Sequence, residues 1–301
     1  MKISLDNHHH KLLLLQLLLH IGAIGGLIIY WDPWWLLVAL VGKIIIKTFG
    51  AEIGYHRLIA HRSFTTHPWI ENILLFLGTM TAMGSAVGWA ANHRVHHRNS
   101  DKQGDPHPAS ESFRTWFWIG TNSKVTVNPT VVKDLLRKEV YLFQRNYYFT
   151  IVYSVYAIVA LIDIKFLIYF FLIPGALAMT SGGLLNVVCH KWGYRNFDTI
   201  DNSKNNFWVN MYCNFSGMGL HNNHHMYPNR WSNKIKSNEI DLCTPIIKLI
   251  MKKETNMGQV KCGCGRSPTG FCIGWHNLSE EAYKRLLEDQ IKVVEQQKEN
   301  K

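Results

Sequence analysis

The run LLLLQLLLHIGAIGGLIIYW, residues 12 to 31, holds no acidic or basic chain-end charge over twenty positions. A helix rising about 1.5 Å per residue carries such a run across the roughly 30 Å of a bilayer's hydrocarbon core, where every backbone polar group must be paired within the segment. The run is too long for the apolar part of a signal peptide, and no small-residue cleavage site follows it. It reads as a first membrane span. After the break at Asp32-Pro33, residues 34 to 54 form a candidate return span, with Lys43 and Lys47 counting against it. Residues 73 to 91 are either a third span or a helix lying on the membrane surface. Residues 147 to 162 and 166 to 188 form a second hairpin, joined by Asp163, Ile164 and Lys165.

The formal net charge of +11 is concentrated between the hairpins, from Arg57, Arg62, Arg94, Arg98 and Arg114 to Arg137, Lys138 and Arg145. By the positive-inside rule that segment is cytoplasmic, and with four spans so are both termini. The expectation is an all-α integral membrane protein with about four transmembrane helices and a cytoplasmic histidine-rich cap. Basic residues at span ends attract anionic headgroups, and they also suit the phosphates of an acyl carrier. No nucleic-acid-binding motif accompanies them. The membrane part with its cap is expected over residues 1–255, and a cytoplasmic tail over 256–301.

Six cysteines fall at or near the cytoplasmic side and do not form a disulfide framework. Cys262, Cys264, Cys272 and His276 are zinc-type ligands at a spacing that also fits ordinary free thiols. Beyond them, Ser279 caps a helix that starts with Glu280 and Glu281 and carries Leu286, Leu287, Ile291 and Val294 along one side.

Histidine is the residue whose placement says most about chemistry. His93, His96 and His97 repeat the spacing of His221, His224 and His225. Positions i, i+3 and i+4 share one helix face, so each triplet aims three imidazoles at one point. His56 and His61 are five apart and diverge on a regular helix, which places them where the second span ends and the chain turns. Asn186 and His190, at i and i+4, face the same way from the end of the last span. Nine imidazoles are too many for one ion and suit two, with Asn186 behind a ligand or reaching a metal through water. Zinc, copper, nickel and iron all accept imidazole, so the residues do not name the ion. His20, His67, His107 and the His8-His9-His10 run stand outside this pattern and are not expected to be ligands.

The stretches GYHRLIAHRSF, NHRVHHRNSD with GDPHP after it, NVVCHKWG and GLHNNHHMYP are similar, in order and interval, to the histidine regions of the membrane fatty-acid desaturases. The resemblance is to the stearoyl-CoA delta-9 type and its bacterial acyl relatives, and it runs from about Gly50 to Pro228. It implies four spans and a cytoplasmic cap holding two iron ions. The implied ligands are His56, His61, His93, His96, His97, His190, His221, His224 and His225, with Asn186 holding a water near one iron. The implied reaction is O2-dependent introduction of a cis double bond, at the delta-9 position, into a long-chain fatty acyl substrate.

A multi-pass protein of the endoplasmic reticulum, if eukaryotic, or of the inner membrane, if bacterial, is implied as well. Trp89 agrees with the family, whereas Ala91-Asn92 stands where acyl-CoA enzymes carry Arg-Asp. That loss favours an acyl-lipid over acyl-CoA. Met218 stands where the last region usually has Glu, and Trp118 where a histidine often stands. No His-Pro-Gly-Gly haem motif is present, so electrons are expected from a separate carrier such as cytochrome b5 or ferredoxin. A mid-chain double bond leaves a methyl end that, on a tunnel beside the second span, reaches Ile44 or Ile45. Two other readings stand beside this one. A hydroxylase or oxidase on a related scaffold shares the metals but inserts oxygen, and a metal transporter or membrane metal-binding protein places its ligands near the bilayer midplane.

Overall fold

The computed structural model describes residues 9–111, 128–254, 266 and 278–288. The chain is mainly helical. Helix α1 (His9–Ile29) leads through a turn at Asp32-Pro33 into α2 (Trp35–Gly42), which continues without a break into α3 (Lys43–Ala60). Then come α4 (Pro68–Thr79) and α5 (Ala86–Asn99), α6 (Glu139–Asn146), α7 (Tyr148–Ile162) and α8 (Ile164–Lys191). Three short helices follow, α9 (Phe207–Tyr212), α10 (His221–Met226) and α11 (Cys243–Ile250). One small antiparallel pair, β1 (Phe64–Thr66) with β2 (Met251–Glu254), ties the segment after α3 to the end of α11.

Two helices are long and apolar enough to cross a membrane, His10–Ile29 and Ile164–Lys191, and a third candidate is α6 with α7, bent by 68°. The expected second span is helical, but α3 carries Lys47, Glu52 and Arg57, each 1% exposed, so its charges point inward. The segment 73 to 91 is neither one span nor one surface helix. It comprises the end of α4, a turn in which Ala82 and Gly84 have positive φ, and the start of α5.

Two cores lie along α3. Ile46 joins Leu15, Leu19, Met80, Val152 and Phe171 in one; Ile53, Tyr55, Ile59, Leu74 and Ala90 belong to the other. Gly50 lets α3 and α4 meet backbone to backbone, since a Cβ there lies 2.4 Å from the carbonyl carbon of Leu77. A buried polar knot holds α3, α4, α5 and α6 together: Gln144 donates to Tyr55 Oη at 2.9 Å and to Thr79 Oγ1 at 3.0 Å, and accepts from the Ala86 amide at 3.1 Å. At the opposite end the two hairpin tips are joined, with Lys165 Nζ 3.1 Å from Asp32 Oδ2. Outward-facing Leu17, Ile24, Ile28, Leu161 and Ile162 leave an exposed apolar surface on these candidate spans, of the kind a bilayer can cover.

The tail's helical residues 280–288 begin at Ser279, whose Oγ accepts from the Ala282 amide at 3.3 Å. Leu278 and Ala282 are buried with Met226, and Leu287 packs beside them, so this segment lies on the helix carrying the last histidines. Leu286 points away. Ile291, Val294, Arg114, Trp118 and the Cys262, Cys264, Cys272 and His276 cluster lie outside the described residues.

Candidate metal centre

Each histidine is delivered by a separate local device. In α3 the amide of residue i+5 bonds back to the carbonyl of residue i, as the His61 amide does to the His56 carbonyl at 3.0 Å. Residues five apart therefore sit one turn above each other, and the His56 and His61 rings lie 4.8 Å apart, edge to face. The divergence expected for a regular helix does not arise. The backbone does end there, because His61 caps the helix and Arg62 has φ of 52°.

Helix α5 carries His93, His96 and His97, and Trp89 one turn earlier stacks on His93 at 4.8 Å between centroids. Helix α8 brings Asn186 and His190 to its inner end. Helix α10 is only six residues long and is held by its asparagines. The Asn222 carbonyl oxygen accepts from the Asn196 and Phe197 amides at 2.9 and 2.8 Å, and Asn223 donates to Glu239 Oε2 at 2.9 Å. The paired asparagines of GLHNNHHMYP thus anchor the turn that aims its histidines.

The nine histidines fall into two groups: His56, His61, His93, His97 and His224 in one, and His96, His190, His221 and His225 in the other. Within each group the ligand nitrogens lie within 4.8 Å of one another. Nε2 contacts are 2.7 Å for His61–His93, 3.0 Å for His56–His224, 2.9 Å for His97–His224 and 3.1 Å for His190–His221. Two nitrogens each about 2.1 Å from one ion, at right angles, are about 3 Å apart, so these spacings fit shared coordination.

Proton placement points the same way. Nδ1 of His56, His96, His190 and His225 faces Glu52, Asp105, Asp101 and Asp201 at 3.0, 2.8, 2.8 and 2.5 Å. An ionised carboxylate only accepts, so each Nδ1 donates and each Nε2 keeps its lone pair for the centre. His96 Nε2 is buried with no hydrogen-bond partner among the described residues. Converging lone pairs in a buried site repel unless a cation lies between them, and the donor set fits a divalent transition metal. Burial, then the charges of neighbouring imidazoles, hold His61, His93, His97, His221 and His224 well below the usual histidine range, so they stay neutral. For His96, burial is outweighed by the Asp105 hydrogen bond and the pKa is raised; Asp105 itself, despite burial, is brought down to about 2.

Glu52, Asp101, Asp105 and Asp201 were not among the residues expected from sequence. Glu52 stands four before His56, and Asp101 and Asp105 lie just after the His93 triplet, a readable signal; Asp201 gives none, because only folding brings it to His225. His107 is buried 5.9 Å from the His96 ring yet belongs to neither group. His20 Nδ1 contacts the Gln16 carbonyl at 2.8 Å, and His67 and His10 are exposed.

A cavity of about 800 Å³, its mouth included, adjoins both groups. His56, His93, His221, His224 and Asn186 form its metal end, and Trp89, Met83, Ala178, Leu185 and Met218 supply apolar wall. Ile44, 39% exposed, and Ile45 are not part of that wall; the inward residue of the run is Ile46, fully buried in the neighbouring core.

Residues 31–256 match the family model for fatty acid desaturases. The chain is 33% identical over 241 residues to an sn-1 stearoyl-lipid 9-desaturase of Anabaena variabilis, covering 77% of this chain and 86% of that protein. It is 32% identical to an acyl-CoA C20 Delta5-desaturase of Anemone leveillei, covering 77% and 78%. A Delta-9 acyl-lipid desaturase 1 of Arabidopsis thaliana is 29% identical, covering 70% and 72%. With the family model spanning most of its length and the histidines gathered at one buried centre, the chain belongs to the fatty acid desaturase family and is a fatty acyl desaturase.

Proposed function

We propose that this desaturase introduces a cis double bond at the delta-9 position of a long-chain acyl lipid, using two iron ions and O2. The observation that carries the reading is the juxtaposition of two imidazole groups with one apolar-walled cavity. The five-histidine group would hold one iron and the four-histidine group, with Asn186 through a water, the other. Bound iron supplies the oxygen activation that no side chain can provide against an unactivated C–H bond.

The chain's own residues do the rest. Glu52, Asp101, Asp105 and Asp201 fix ring orientation through Nδ1. Trp89 clamps His93 and, with Met83 and Leu185, keeps water from the reacting carbons and the acyl chain in one path.

The lipid carrier is supported by Ala91, fully buried, and Asn92 in the cavity wall, neither of which can pair with a CoA phosphate by charge. Two of the relatives named above carry lipid in their names and one carries acyl-CoA. Four spans, α1, α2 with α3, α7 and α8, would place the joined hairpin tips outside and the histidines and both termini in the cytoplasm. Electrons would come from a separate acidic carrier, cytochrome b5 or ferredoxin, drawn to the basic cytoplasmic face. Expression in a desaturase-deficient yeast, with mass spectrometry of the fatty acids, tests the reading. A new delta-9 alkene in membrane lipids is expected; a hydroxylated chain in its place would overturn it.

A further inference from the structure

Four of the nine histidines are followed directly by an arginine: Arg57, Arg62, Arg94 and Arg98. Arg57 is the buried one, 1% exposed, and every N–H of its guanidinium is spent. Nε donates to Glu52 Oε1 at 3.0 Å, Nη1 to Asp241 Oδ2 at 2.9 Å and the Trp231 carbonyl at 2.8 Å, and Nη2 to Asp241 Oδ1 at 3.2 Å and the Ser216 carbonyl at 2.6 Å. The winding of α3 that stacks His56 and His61 also sets Arg57 above Glu52, five residues earlier. Glu52 in turn faces His56 Nδ1 through its other oxygen at 3.0 Å. One guanidinium thus joins the carboxylate behind a histidine of the centre to three segments far along the chain.

Those segments flank α10. Gly217, with φ of 83°, packs so closely that a Cβ there would lie 2.5 Å from Asp241 Cγ and 2.8 Å from Arg57 Nη2. Asp241 Oδ2 also accepts from the Asn233 amide at 2.8 Å, and the Asn233 carbonyl accepts from Asn223 Nδ2 on α10 at 3.0 Å. The path from α3 ends beside His224, whose Nε2 lies 3.0 Å from that of His56. A buried ion pair adds little stability over well-packed apolar side chains, and what a forked, bidentate guanidinium supplies is a fixed geometry.

The division of the histidines makes that geometry selective. Helix α3 and its capping residue give His56 and His61 to the five-histidine group and nothing to the other. The carboxylates of the other group are Asp101, Asp105 and Asp201, and no N–H of Arg57 is left for them. Helix α10 has its own anchor as well: Asn205 Oδ1 accepts from the Asn222 and Asn223 amides at 2.9 and 3.2 Å, so loosening α3 does not release His221 and His225.

We infer that Arg57 is a positioning residue for one metal site of the two: through Glu52 and Asp241 it holds His56 against His224, and so governs the five-histidine site while leaving the four-histidine site untouched. The inference rests on the reading of the centre as two iron sites.

The test measures iron retained by the purified full-length protein in detergent micelles after dialysis against graded chelator, in wild type, Arg57→Lys, Asp241→Asn, Asp201→Asn and two double variants. Lysine keeps the charge of Arg57 without its fork, and asparagine keeps the shape of Asp241 without its charge. Arg57→Lys should release one ion at about 10- to 100-fold less chelator than wild type and hold the second as wild type does, and Asp241→Asn should do the same. Arg57→Lys combined with Asp241→Asn should still keep one ion, because both act on one site. Arg57→Lys combined with Asp201→Asn should keep neither. Release of both ions together from Arg57→Lys and Asp241→Asn, with or without loss of the fold, makes Arg57 a support of the whole cap and overturns the inference; so does iron release identical to wild type. Wild type that holds only one iron overturns the two-iron reading itself, and the inference with it, whatever the variants do.

Discussion

The four carboxylates behind the histidines carry as much of the site's design as the histidines do. Each accepts from an Nδ1 and so leaves Nε2 to face inward, and removing its charge releases both the tautomer and the ring. Asp105→Asn and Asp201→Asn should each weaken metal binding by about 10- to 100-fold, read as metal retained after dialysis against a chelator. Retention equal to wild type would mean that these contacts do not govern the ligands. His97→Ala and His225→Ala should lose metal and turnover together. His67→Ala and His107→Ala should retain metal, the latter despite its burial near His96. Equal metal loss in all four variants would redraw the two groups.

Elements place these residues through two local features, the i+5 bonding of α3 and the close crossing of α3 with α4. The first turns His56 and His61 onto one side; the second depends on Gly50. Gly50→Val should cost about 1–3 kcal/mol by overpacking against the Leu77 backbone, measured as a lowered melting temperature with a matching loss of bound metal. A variant as stable as wild type would show that the two helices have room to part. Triplet spacing alone was enough to read α5 and α10 as presenting three imidazoles each, but not at one point: His96 parts from His93 and His97, and His224 from His221 and His225, because the i+3 and i+4 positions straddle the two groups. The same spacing rules misjudged His56 and His61, because they assume 3.6 residues per turn and α3 winds more widely.

On the scale of the whole molecule, the histidine centre and the long apolar helices are the two features that gather distant segments. Nine histidines from α3, α5, α8, α10 and the turn at His61 gather in two adjoining groups, so metal bound only by the folded state should stabilise it by mass action. Metal removal by a chelator should lower the melting temperature, and adding back iron should restore it with about two ions per chain. A single ion per active chain would contradict the two-group arrangement. For the membrane, a Lys165→Cys variant should react with an impermeant thiol reagent from the side opposite to a tag on either terminus. Labelling from the same side would remove the four-span arrangement.

The sequence by itself determined the long apolar stretches and the histidine regions, because hydropathy and spacing along one helix are local properties of consecutive residues. It also carried the family resemblance, since ordered motifs survive in one dimension. Only the tertiary structure decided how the nine histidines divide between two groups, that Asp201 serves His225, and that Ile46 rather than Ile44 or Ile45 faces inward. Those outcomes depend on which helix faces meet and on how tightly α3 is wound. Side chains far apart in the chain register them only once packing has brought them together.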